Sequence, residues 1–186
     1  MKVPGLFCSG TVLTGKADES NHNPGSLIPS VFSQLFKSKD GITLAPNHVY
    51  LNPPGKNVTL FDRCLHLLDP VKTTAVNLPI DFFFRSLSED QGEKAIGIIL
   101  SGTASDGTMG IRTIKGGGGM AMVQEPDTAK YDGMPKSAIE TGLVDFIAPV
   151  ERMPEILIRY VEHPFHASLD KTKRKEPFCI DPQRHR

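Results

Sequence analysis

The stretch Ala95–Gly110, "AIGIILSGTASDGTMG", decides how the chain is read. Its first six residues form a continuous apolar run rich in isoleucine, the pattern of a strand buried on both faces. Small residues follow, and among them stands one carboxylate, Asp106, six positions after Leu100. A turn explains the glycines but not the acid. Aspartate is a favoured helix N-cap, so Asp106 is expected to cap a helix beginning near Thr108. In open parallel sheets, ligands also bind outside the carboxyl ends of the strands, so the same position suits chemistry. The two roles are compatible, and the local sequence leaves both open.

Downstream, "GTMGIRTIK" reads as a helix and "MAMVQ" as a second buried strand. "PKSAIETG" reads as a helix opened by proline and closed by Gly142, "LVDFIAP" as a short strand and "ERMPEILIRYVE" as a last helix. This alternation predicts a parallel sheet covered by helices. Upstream, "PIDFFFRSLSEDQ" starts with Pro79, where a helix tolerates proline, and it carries a broad apolar face. "HVYLNP", "VTLF" and "CLHLL" predict short strands, with Asp62 and Arg63 as a hairpin turn between the last two. "SLIPSVFSQLF" places Leu27, Val31, Leu35 and Phe36 near helical spacing and predicts a short helix. Residues 1–25 show no clear periodicity and are expected to be poorly ordered.

The 186 residues suit one domain, and 39% hydrophobic with 23% charged residues excludes an intrinsically disordered class. The formal net charge is zero, so no nucleic-acid partner is expected. No apolar run reaches membrane-spanning length, and "MKVPGLFCSG" lacks a signal-peptide core. A cytoplasmic protein without membrane insertion is the expectation. Cys8, Cys64 and Cys179 are odd in number and widely spaced, which argues against a disulfide framework or a structural zinc site. Pro164 interrupts the pair His163 and His166, so no metal is expected there. "SGTASDG" and "KGGGGM" lack the spacing of phosphate-binding loops, and no cofactor is expected. The basic tail, residues 163–186, reads as solvated and flexible.

"IGIILSGTASDGTMGIRTIKGGGGMAMVQEP", followed by "YDGMPKSAIETGLVDFIAPVERMP", resembles the catalytic domain of the chemotaxis protein-glutamate methylesterases. "PNHVYLNPPGKNVTL" and "LPIDFFFRSLSEDQGEKAIG" are similar to the version found in bacterial methylesterase–methyltransferase hybrid sensory proteins. The resemblance runs from about Ser26 to Val161. It implies a three-layer α/β/α fold with a mostly parallel sheet over residues 26–162, preceded by an off-family segment, 1–25. It implies a hydrolase of chemotaxis and phosphorelay signal transduction, whose Ser-His-Asp triad releases methanol from glutamate methyl esters on a methyl-accepting chemoreceptor or related sensory protein. The triad acid falls on Asp106, and a backbone N–H of the oxyanion hole on Thr103. His22 in "HNPGS" is the candidate base and Ser9 in "FCSGTVLTG" the candidate nucleophile.

The family's Gly-Ala-Ser-x-Gly-Gly turn is missing from this sequence. Loss of the nucleophile costs on the order of a millionfold in a comparable hydrolase. Two readings follow: a methylesterase-type hydrolase, or a non-catalytic interaction module or fragment of a larger sensory hybrid. The expectation is an N-terminally truncated domain, silent as an esterase. Strands left without partners would also favour self-association.

Overall fold

The computed structural model describes residues 6–8, 11–14, 34–45, 48–70 and 77–162. In chain order the strands are β1 (Leu6–Cys8), β2 (Thr11–Thr14), β3 (Gln34–Lys37), β4 (Ile42–Thr43), β5 (His48–Leu51), β6 (Asn57–Phe61), β7 (Cys64–Leu68), β8 (Ile96–Ile99), β9 (Met120–Gln124) and β10 (Phe146–Ala148). The helices are α1 (Pro79–Gln91), α2 (Thr108–Gly116), α3 (Gly133–Ile139) and α4 (Met153–Glu162).

Seven strands form one sheet in the order β10-β9-β8-β1-β2-β5-β3. The pairs β1–β8, β8–β9, β9–β10 and β3–β5 are parallel, and β2 alone runs against its two neighbours. The fold is therefore α/β with a mostly parallel sheet, as the alternation of strands and helices predicts. Alternation along each strand then sorts the core onto two faces. Ile99, Ala121 and Val123 pack with Phe83, Phe84 and Leu87 of α1, Ile111 and Ile114 of α2, and Met134 and Ala138 of α3. Ile96, Ile98, Met120 and Met122 point the other way and pack with Met153 and Val161 of α4. Helices thus cover both faces of β8 and β9, which gives the three layers.

Two differences from the sequence reading concern strands. Leu6–Cys8 and Thr11–Thr14 fall in the segment expected to be poorly ordered, yet β1 pairs with β8 in the register Leu6↔Ile96, Phe7↔Gly97 and Cys8↔Ile98. Gln34–Lys37, expected as the end of a helix, is a strand paired in parallel with β5. A short apolar run does not distinguish helix from strand by periodicity, and the available pairing partner decides.

The remaining strands form a three-stranded sheet, β4-β7-β6, packed against α1 through Val58, Leu60 and Leu65. Ser86, buried in α1, joins the two: its Oγ accepts the Leu60 N–H at 3.0 Å and donates to the Phe83 carbonyl at 2.9 Å. The edge of β6 thereby gains a partner for an otherwise open N–H. Asp62 and Arg63 do form the β6–β7 turn, both with positive φ, 46° and 63°. Cys64 on β7 is disulfide-bonded, which departs from the reading of the cysteine count.

Candidate active site

β8 ends at Ile99, and the chain crosses Ser101–Gly107 before α2 begins at Thr108. This loop lies at the carboxyl end of a parallel strand with parallel neighbours on both sides, β1 and β9. Its base is tied down residue by residue. The Ser101 N–H donates to Oε1 of Gln124 at 2.8 Å, and Ser101 Oγ accepts the Tyr131 N–H at 2.9 Å. The Gly102 N–H donates to the Tyr131 carbonyl at 2.9 Å, and the Gly102 carbonyl accepts the Met134 N–H at 2.9 Å. Gln124 is buried at the end of β9, and its Nε2 donates to the carbonyl and hydroxyl of Thr128. A buried amide with both ends bonded is a rigid strut rather than a liability.

Glycine suits two places in this loop, by close packing at Gly102 and by conformation at Gly107. A Cβ on Gly102 would lie 2.2 Å from the Met134 sulfur. Gly107 has φ +92°, and a Cβ there would lie 2.3 Å from Cδ1 of Ile99. Between them Thr103, Ala104 and Ser105 are exposed, with Ala104 at φ +66°. A left-handed alanine is uncommon, and such conformations gather at functional loops. Thr103 thus stands at the exposed tip of the loop.

Asp106 is half-buried at the foot of the loop. It does not cap α2, which corrects the local reading: the N-cap of α2 is Gly107, with no side-chain bond. Asp106 caps α1 instead. Its Oδ2 accepts the Ile80 N–H at 3.1 Å and its Oδ1 the Asp81 N–H at 3.0 Å. Those are first-turn donors with no partner inside the helix, and Leu78 at the N-cap offers none. Each carboxylate oxygen keeps acceptor capacity for a further donor, so this bonding leaves Asp106 able to orient an imidazole.

Sequence reasoning missed Asp81. Its Oδ1 accepts the Gly110 N–H of α2 at 2.6 Å. Burial pushes its carboxyl up from the ordinary 3.8; the N–H groups of Gly110, Gly107 and Met109 oppose that shift, and the neighbouring Asp106 charge adds to it. An acid in the first turn of a helix is usually read as complementing its own helix dipole, so the sequence carried no sign of a cross-helix bond. Gln124 was missed too, although a polar residue closing the apolar run "MAMVQ" was a usable signal.

Asp106 and Thr103 therefore share one loop. Ser9 and His22 lie outside the described residues. β1, which ends at Cys8, is in register with β8 at Ile98, so the carboxyl ends of these two strands are adjacent. Among the described residues, no group of three or more His, Cys, Asp or Glu side chains could hold a metal ion, and no helix is long and apolar enough to cross a membrane.

Residues 33–157 match the model of the CheB methylesterase family. The chain is 41% identical over 123 residues to an uncharacterized 104.1 kDa protein of Rhodobacter capsulatus, covering 66% of this chain and 13% of that protein. It is 38% identical over 112 residues to a putative protein-glutamate methylesterase/protein-glutamine glutaminase of Leptospira interrogans, covering 60% of this chain and 58% of the relative. The chain thus spans less than two thirds of the length of either. The crystal structure of the Thermotoga maritima CheB methylesterase catalytic domain superposes with a TM-score of 0.61 at 31% identity, covering 67% of this chain and 68% of that one. With two thirds of its length matched, and with an acid-bearing loop at the carboxyl end of its central parallel strand, the chain belongs to the CheB methylesterase family.

Proposed function

We propose that the chain is a protein-glutamate methylesterase-type domain whose site is built on Asp106, directed at glutamate methyl esters of a methyl-accepting chemoreceptor or related sensory protein. The observation that carries this reading is the position of Asp106, half-buried beyond β8 with carboxylate oxygens fixed by the Ile80 and Asp81 N–H groups. In the triad mechanism such an acid orients a histidine and stabilises the imidazolium formed when the nucleophile is deprotonated. His22 is the proposed base, Ser9 the proposed nucleophile and the Thr103 N–H a proposed oxyanion donor. The exposed Thr103–Ser105 tip leaves room for an ester carbonyl to approach the backbone.

A second reading, a catalytically silent recognition module, is favoured by two observations. The sequence contains no Gly-x-Ser-x-Gly-Gly turn. Asp106 also has a folding role, because it satisfies first-turn donors of α1. Its presence is thus explained without turnover, and we infer that this copy is silent as an esterase.

Methanol release from a methylated chemoreceptor decides between the two. The expected result is release no faster than background, with binding of the chain to the receptor retained. Release that is lost in Ser9→Ala, His22→Ala and Asp106→Asn would instead make the chain a working hydrolase with those three residues in the proposed roles.

A further inference from the structure

We infer that Asp81 is a positioning residue: together with Asp106 it forms a reciprocal clasp between the N-termini of α1 and α2 that fixes the foot of the Ser101–Gly107 loop. The consequence for a reaction rests on the reading of Asp106 as the acid of the site; the clasp itself does not.

Each of the two helices starts without a side-chain cap of its own. Leu78 and Gly107 are the N-cap residues, and neither makes a side-chain bond. The acid preceding Gly107 caps α1, and the acid in the first turn of α1 caps α2. Asp106 accepts from Ile80 and Asp81, and Asp81 accepts from Gly110. The backbone N–H of Asp81 is thus held by Asp106, while the Asp81 carboxylate holds the helix that follows Asp106. Neither helix end can shift without breaking a bond made by the other.

The surroundings remove the alternatives. A Cβ on Gly110 would lie 2.6 Å from Cβ of Phe84, so α2 lies tight on α1 just past the clasp. Gly107 takes a left-handed conformation against Ile99 and Ile80, which ties the start of α2 to β8 and to the first turn of α1. Two like charges would repel across this gap. The unpaired N–H groups of two helix N-termini offset that repulsion, as helix ends do for anions. The charged group facing Asp81 across the clasp is Asp106.

Amide hydrogen exchange and amide chemical shifts of Ile80, Asp81 and Gly110 in the full chain test the clasp. Asp81→Ala is expected to lower protection at Gly110 roughly fivefold or more. It is also expected to lower protection at Ile80 and at the amide of position 81, which the Asp81 carboxylate does not touch. Asp81→Asn, which keeps an acceptor, is expected to restore all three. Asp106→Ala is expected to lower protection at Gly110 in turn. Loss confined to the directly bonded amide in each variant overturns the proposal.

Should Asp81→Ala fail to fold, the wild-type chain serves. On acidification each of the three amide shifts is expected to report both protonation steps of the coupled carboxylate pair. A Gly110 shift that follows one step while the Ile80 and Asp81 shifts follow only the other overturns the clasp. Ester turnover on the same samples addresses the site. In an active chain, Asp81→Ala is expected to lower kcat with KM unchanged and Asp81→Asn to recover it; a fall in stability alone, with kcat intact, overturns the positioning role. An inactive chain counts against the hydrolytic reading, and the amide coupling still decides the clasp.

Discussion

Gly97 of β8 lies directly beneath the ring of Phe84: a Cβ built on Gly97 would fall 2.9 Å from Cε2 and 3.1 Å from Cζ. Phe84 is fully buried, and its Cβ and the base of its ring rest on Gly110 of α2. One ring therefore sets the spacing of β8, α1 and α2, the three elements that position Asp106. Gly97→Ala is expected to destabilise by about 1–3 kcal/mol through overpacking. Phe84→Leu shortens the group that the added methyl would strike, so the double variant is expected to be more stable than the sum of the single effects allows. Urea unfolding of the four proteins measures this; additivity within about 0.5 kcal/mol contradicts it.

The β6–β7 hairpin offers a stabilising change. Its two turn residues, Asp62 and Arg63, both sit at positive φ, the conformation of a type I′ turn. Arginine has no local reason to adopt it, and a left-handed conformation costs an ordinary residue roughly 1–2 kcal/mol. The bonds that hold Arg63 use its backbone: its carbonyl accepts the Leu44 N–H at 2.9 Å and its N–H donates to Asp90 Oδ1 at 3.4 Å. Arg63→Gly keeps both. A gain of about 0.5–1 kcal/mol in chemical denaturation is expected, since the strain relieved exceeds the backbone entropy that glycine adds to the unfolded chain. A loss would mean that the Arg63 side chain contributes more than the turn strain costs.

The limits of the sequence reading follow from the range of the interactions. β8 and β9 were legible because burial on both faces leaves continuous apolar runs, and α1 because Pro79 and a broad apolar face mark it locally. β1, β2 and β3 were not legible: each is three or four residues long and becomes a strand only beside β8 or β5. The site divides in the same way. Asp106 stood out as an acid among small residues, yet its capping partners lie 25 and 26 positions upstream, on a helix that local reasoning treats as separate. Asp81 was hidden because its position looks self-sufficient. Crossed caps of this kind are a tertiary property and leave no mark on either helix's own sequence.

Thr108 opens α2 beside Asp106, and its Oγ1 is buried without a hydrogen-bond partner among the described residues. An unmade bond of this sort costs about 1–3 kcal/mol in desolvation, whereas a methyl group of the same shape carries no such cost. Thr108→Val is therefore expected to raise stability by about 1 kcal/mol, at the lower end of that range. It is also expected to leave the α1 cap intact, since Asp106 bonds to Ile80 and Asp81. The thermal midpoint checks this, and a lowered midpoint would assign the hydroxyl a partner in solution.

The raised pKa of Asp81 makes a signed prediction about acid stability. Burial is the largest cause, and the Asp106 charge adds to it. The folded chain then holds the Asp81 proton more tightly than the unfolded chain does. Its contribution to stability is fully present below the unfolded value near 3.8 and is lost as pH rises through the raised folded value. Asp81→Asn keeps an acceptor for Gly110 but cannot ionise. The stability of this variant relative to the wild type is therefore expected to increase with pH across that window and then level off. Differences between the two proteins isolate this group from the other carboxylates that titrate nearby. In an Asp106→Asn background the like charge is gone, so the same comparison is expected to give a smaller rise. Urea unfolding of the four proteins between about pH 3.5 and pH 7, the range around ordinary carboxylate titration, supplies the curves. A relative stability that is flat or falls with pH would show that the N–H groups of α2 outweigh burial, and that Asp81 is held as a stable anion.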